Sequence, residues 1–227
     1  MYKYKLINGW CLFMKKRYSN ILKFLIILSV NIYVLSFAVK FTLYNTTLYS
    51  YDIGYLRLEE KTNLTRVSIE SNYNAVVNYI KDKNVVDLHL PSLAMSESGR
   101  VHFYEVKNIF LLLNNINIIS AIMSLLLIFI FFYYKDFSFL KISSISLAVF
   151  PIFLGIPFLI NFDGSFIFFH KILFNNSYWE FDPSTDPIIN ILPQEFFFHC
   201  IMLIVFIMFV FSIIFALVYF LIKKRRD

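Results

Sequence analysis

Four histidines are the groups in this chain best suited to moving protons near neutral pH: His89, His102, His170 and His199. An imidazole titrates close to physiological pH, so it serves as base in one step and acid in the next. His102 stands in VHFYEVKNIF with Glu105 three residues on, a spacing that places both on one helix face. A carboxylate there can accept from one ring nitrogen, fix the tautomer and raise the basicity of the other. His170 lies in FIFFHKILF, where Lys171 is its only titratable neighbour. For each ring the competing reading is an interfacial histidine satisfied by backbone or headgroups.

Other chemistries find little support. The chain has no HExxH, no GxSxG, no phosphate-binding glycine loop and no dinucleotide turn, so neither a metal nor a cofactor is expected. Cys200 reads as packing rather than as a nucleophile, and Cys11 is expected on the opposite side of the membrane from it. The amides of LLLNNINIIS (Asn114, Asn115 and Asn117) are costly in an apolar run unless they line a cavity or face another helix. Asn31 fits the second role.

The elements that must carry these groups are membrane spans. Of 227 residues, 59% are hydrophobic and only 16% charged, against about half and a quarter in soluble domains. Four apolar runs are long enough to cross a bilayer, or nearly so: Ile21 to Leu43, Ile109 to Phe132, Ile142 to Leu159 and Phe196 to Ile222. The expected fold is an all-α integral membrane protein forming one membrane domain over residues 1–227. The net charge of +6 is a topology signal and not a sign of nucleic acid. Lys3, Lys5, Lys15, Lys16, Arg17, Lys23, Lys135, Lys141, Lys223, Lys224, Arg225 and Arg226 all fall on one side of a four-span layout, which puts both termini in the cytoplasm. Two polar regions, residues 44–108 and 161–195, then face outward with all four histidines.

Both regions are expected to hold short helices. Ile69, Tyr73, Val76 and Ile80 recur at helical spacing between Arg66 and Lys81, with Thr65 placed to cap. Ser96 or Ser98 should start a helix that runs on into the second span. The segment Phe166 to Phe174 is too short to span and should lie in the interface or dip back into the bilayer. After it comes NNSYWEFDPSTDPIINILPQEFF. Its Tyr178 and Trp179 suit the headgroup level, and Pro183, Pro187 and Pro193 fix backbone where a helix cannot continue.

The order of these motifs resembles the bacterial lipoprotein intramolecular transacylase (Lit) family. That pattern has a His-x-x-Asp-Val before the second span, a second His in a Phe-His-x-x-Phe-like segment, then Trp-x-x-Asp-Pro-x-Thr-Asp and Pro-x-x-Phe-Phe. The matching positions here are His102 with Glu105 and Val106; His170; Trp179, Asp182, Pro183, Thr185 and Asp186; and Pro193, Phe196 and Phe197. Glu105 is a departure, one methylene longer than the family's Asp.

The resemblance implies an enzyme of the bacterial cytoplasmic membrane, multi-pass, with its active face on the outer side. Its substrate would be a diacylated lipoprotein whose N-terminal Cys has a free α-amine. One acyl chain would move from the sn-2 oxygen of the glycerol to that amine. His102 and His170 would be the catalytic pair, supported by Glu105, Trp179 and Asp182, with Asn114, Asn115, Tyr178 or a backbone N–H as oxyanion donor. Partners would be the lipoprotein and membrane lipids; the oligomeric state is open, a monomer being the simplest case. An esterase that uses water, or a membrane scaffold without catalysis, are the rival readings.

Overall fold

A computed structural model describes residues 2–133 and 135–225, with side chains from residue 20 onward. Lys3, Lys5, Lys15, Lys16, Arg17 and Cys11 as side chains, and Arg226, lie outside that description. Every regular element among the described residues is a helix.

Four helices are long and apolar enough to cross a bilayer. They are α1 (Tyr2–Tyr44, with its apolar part from Asn20), α5 (Glu97–Tyr133), α6 (Ser138–Ile160) and α9 (Gln194–Lys224). Between α1 and α5 come α2 (Thr47–Tyr55), α3 (Leu58–Thr62) and α4 (Arg66–Lys81); between α6 and α9 come α7 (Phe162–Leu173) and α8 (Ile188–Ile191). Both groups of short helices belong to the same end of the bundle, called here the head.

The bundle is held from within by a small apolar core, including Ile26, Val34, Leu147 and Met208. Serines close the seams. Ser29 Oγ donates to the Ser120 carbonyl at 2.9 Å, Ser212 Oγ to the Ser144 carbonyl at 2.8 Å, and Ser146 Oγ to Asn31 Oδ1 at 3.0 Å. Between apolar helices in lipid there is little hydrophobic drive, so close packing and such bonds carry association. The outward surface stays apolar, with Phe129 and Leu125 exposed.

The head has its own core, and the sequence periodicity built it. Ile69, Tyr73, Val76 and Ile80 of α4 pack against Tyr49, Ile53, Phe103, Ile188 and Phe196. Thr65 Oγ1 accepts from the Ser68 amide at 3.3 Å and caps α4 as expected. Tyr49 Oη donates to the Ile191 carbonyl at 2.7 Å, fastening α8 beneath α2.

Helix α5 decides where the site sits. Its 37 residues run about 55 Å, well beyond a hydrocarbon core of about 30 Å, so its first turns stand in the head. Ser96 Oγ caps it, accepting from the Gly99 amide at 3.0 Å. A second anchor is Asp186, 2% exposed, whose Oδ1 accepts from the Ser96 amide at 2.8 Å. Thr185 Oγ1 donates to its other oxygen at 2.9 Å. A carboxylate is well placed at the positive end of a helix. Gly99 lets it approach, since a Cβ there would lie 2.4 Å from Asp186 Oδ1. Because Asp186 is bonded on both oxygens it has no room to yield. Gly99→Ala should therefore lower stability by about 1–3 kcal/mol, read as a lowered Tm of the detergent-solubilised protein, while Gly54→Ala, with open space around it, should not.

Candidate active site

Two histidines far apart in the chain meet in the head. The rings of His102, on α5, and His170, on α7, have centroids 6.2 Å apart and planes inclined by 35°. Aromatic rings enclose them. Phe174 and Phe181 meet His102 edge-on at 4.8 and 5.4 Å, and Trp179 and Phe166 cover His170 at 4.8 and 4.1 Å.

Helix α7 starts where α6 stops. Asn161 ends α6, and its Oδ1 accepts from the Gly164 amide at 3.0 Å, so one residue turns the chain and caps the next helix. The segment expected from Phe166 to lie at the interface is thus a helix that begins four residues earlier. None of its residues is buried, and Phe168 and Ile172 are exposed. Within it, His170 Nδ1 lies 2.8 Å from the Phe166 carbonyl. A carbonyl only accepts, so Nδ1 carries the hydrogen and Nε2 keeps its lone pair. Burial pushes the His170 pKa below its ordinary value of 6.5, the Phe166 bond opposing in part.

His102 is 7% exposed, and its Nδ1 has no hydrogen-bond partner among the described residues. The expected bond from Glu105 is not formed. Instead Glu105 Oε1 accepts from Asn176 Nδ2 at 2.8 Å, and its Oε2 is buried without a partner. Asn176 is the hub that sequence reasoning missed. Its Oδ1 accepts from the Tyr178 amide at 3.0 Å, and its carbonyl accepts from Trp179 Nε1 at 3.0 Å. A path of contacts therefore runs from the His102 helix through Glu105, Asn176 and Trp179 to His170. The only sequence signal for Asn176 was its place two residues before Tyr178.

The other expected site residues divide. Trp179 reaches His170, and Tyr178 stands beside it, 44% exposed. Asp182 is exposed and accepts from the Ser184 amide and hydroxyl at 2.8 and 2.7 Å, so it shapes a turn and does not touch the histidines. Asn114 and Asn115 lie 12 and 13 residues beyond His102 on the same helix, about 18–20 Å along its axis, and Asn114 is bonded to Lys40 at 2.7 Å. These amides are out of reach of the pair as oxyanion donors. His89 is exposed, and His199 pairs with the fully buried Asp52. Among the described residues no three His, Cys, Asp or Glu side chains converge as metal ligands would.

The model of the lipoprotein intramolecular transacylase Lit family matches residues 24–197. The chain belongs to that family. The membrane-integral Lit of Bacillus cereus, solved in meso, superposes with a TM-score of 0.90 at 32% identity, over 93% of this chain and 98% of that one. Two further structures of the Bacillus cereus Lit, in which one histidine is replaced by arginine or by alanine, give TM-scores of 0.89 and 0.87 at 31% and 33% identity, over 96% and 95% of this chain and 98% of theirs. No curated protein matches. As a Lit family member the chain is an acyltransferase, an all-helical multi-pass membrane enzyme with four spans.

The lowered His170 pKa has a consequence for stability. The unfolded chain takes up its proton near 6.5, whereas the folded ring resists it, so the native state loses stability as pH falls below 6.5. Tm of the detergent-solubilised protein should drop on going from pH 7.5 to 5.5, and the drop should be shallower in His170→Phe.

Proposed function

We propose that this enzyme moves an acyl chain within one lipoprotein, from the sn-2 oxygen of the S-diacylglyceryl group to the α-amine of the N-terminal Cys. The observation that carries the reading is the His102–His170 pair, 6.2 Å apart in an aromatic enclosure, with a free Nε2 on His170. The reaction needs one group that accepts a proton from nitrogen and returns it to oxygen. The locked tautomer of His170 suits that role.

An α-amine has a pKa of about 7.7–8.0, so a large share is protonated at neutral pH. The neutral remainder is the nucleophile, and the partnerless Oε2 of Glu105 is a fitting hydrogen-bond acceptor for its N–H. As the amine nitrogen bonds to the ester carbon, His170 Nε2 takes the amine proton. As the bond from that carbon to the sn-2 oxygen breaks, the same proton passes to the oxygen. Reactant and product have equal mass. His102 donates an N–H to the carbonyl oxygen while charge develops there, and Tyr178, next to Trp179 in the chain, is a further candidate donor. Nucleophile and ester share one molecule and meet in a ring of about eight atoms, so folding the substrate supplies much of the acceleration. The aromatic enclosure disfavours water as a competing nucleophile, which argues for transfer over hydrolysis.

The single membrane domain lies in the bacterial cytoplasmic membrane with both termini inside and the head outside, where lipidated proteins are found. The charge distribution supports this orientation, and Lys23 with Asp136, 2.7 Å apart, lies at the end away from the head.

The test is mass spectrometry of a model lipoprotein from a host that lacks N-acylation, with and without this chain. The expected product has unchanged total mass, an acylated N-terminus and one chain on glycerol. Released fatty acid with a free amine would overturn the reading in favour of an esterase. His170→Ala should reduce the rate by about 10²–10⁴-fold and His102→Ala by about 10²–10³-fold, with Asp182→Ala near wild type.

A further inference from the structure

Lys40 lies in α1, four residues before its end at Tyr44, about 6 Å along the axis. A lysine so close to a helix end ordinarily extends its stem and keeps its charge in water. Lys40 turns sideways instead. Its Nζ is 2.7 Å from Asn114 Oδ1 and 3.3 Å from Asn117 Oδ1, across the seam with α5. Among the described residues no carboxylate pairs with it.

The two amides have no choice of orientation. Lysine has only donors, so each turns its oxygen toward Nζ. Asn117 then donates from Nδ2 to Ser36 Oγ at 2.9 Å and to the Tyr33 carbonyl at 3.4 Å. Asn114 Nδ2 is left without an acceptor among the described residues, as is one N–H of Lys40. The next residue, Asn115, is exposed on a surface that is otherwise Leu and Ile. The seam therefore holds a positive charge and several donors, with amide dipoles but no anion opposite. A charge in a membrane span is costly without a partner. What fits is a ligand that is anionic, rich in acceptors and carried at the depth of the membrane surface.

We propose that Lys40, Asn114 and Asn115 bind the phosphodiester of a phospholipid in the leaflet on the head side, its acyl chains lying along the α1–α5 seam. The site is distinct from the histidine pair, about 18 Å away along α5, and does not depend on which acyl transfer the enzyme performs.

Native mass spectrometry of the full chain, delipidated in detergent and titrated with lipid, tests this. Wild type should retain one phosphatidylglycerol, and phosphatidylcholine within about tenfold of it, whereas diacylglycerol, which lacks the phosphate, should not be retained. Asn114→Asp gives Lys40 a carboxylate within the protein; it should fold, keep its Tm, and bind phosphatidylglycerol at least tenfold more weakly. Lys40→Arg should keep binding and Lys40→Met should lose it. Undiminished binding by Asn114→Asp, or diacylglycerol retained as well as phosphatidylglycerol, would overturn the proposal. Should Lys40→Met not fold, Asn114→Asp and the diacylglycerol comparison still decide.

Discussion

Asn176 is fastened at three points: its amide nitrogen to Glu105, its amide oxygen to the Tyr178 amide, and its carbonyl to Trp179 Nε1. The histidine pair depends on that arrangement. His102 is borne on a helix that continues into the membrane, while His170 is borne on a short helix with no buried residue of its own. Phe162 and Phe166 set α7 against Phe198 and Phe197 of α9, and the loop that follows adds the link to α5. A hydrogen bond to a charged group is worth about 1.5–3 kcal/mol. That is enough to select one loop conformation, though small beside the burial that holds the head core.

The head is built to make that selection possible. Asp186 pins the loop to the N-terminus of α5, and Tyr49 pins α8. Lys107, one turn and a half beyond His102, is buried and donates to the carbonyls of Asp82 and Val85 while lying over the Tyr79 ring. Its stem and charge close the end of α4 against α5. Most of the head's buried polar groups serve in this way, as fasteners between elements. The exceptions include His102 Nδ1 and Glu105 Oε2, one helical turn apart. Two partnerless buried polar atoms at the same place in the head mark where a substrate is expected to complete the pairing.

The bundle beneath follows different physics. Lipid removes the hydrophobic advantage of burying Leu or Phe, so serines and amides join the apolar core in holding the seams, and many large apolar side chains face outward. Lys40 and its amides are the most polar part of those seams. Asp52 with His199, bonded at 2.8 and 3.0 Å, performs a comparable pairing where α2 meets α9.

The sequence by itself determined the four spans, the cap and buried face of α4 and a serine start for α5 at Ser96 or Ser98, and it singled out the histidines as candidates for the chemistry. These follow from local rules: apolar length sets a span, 3.6-residue periodicity sets a face, and a side-chain oxygen sets a cap. Only the tertiary structure decided that His102 meets His170, that Glu105 binds Asn176 and not His102, that Asp182 shapes a turn, and that Asn114 serves Lys40. The reason is physical. Three of those outcomes depend on the distance between groups about 70 residues apart, set by the sum of many packing contacts; the Asp182 turn is local, but an amide or carboxylate has the same local signature whichever partner it finally meets.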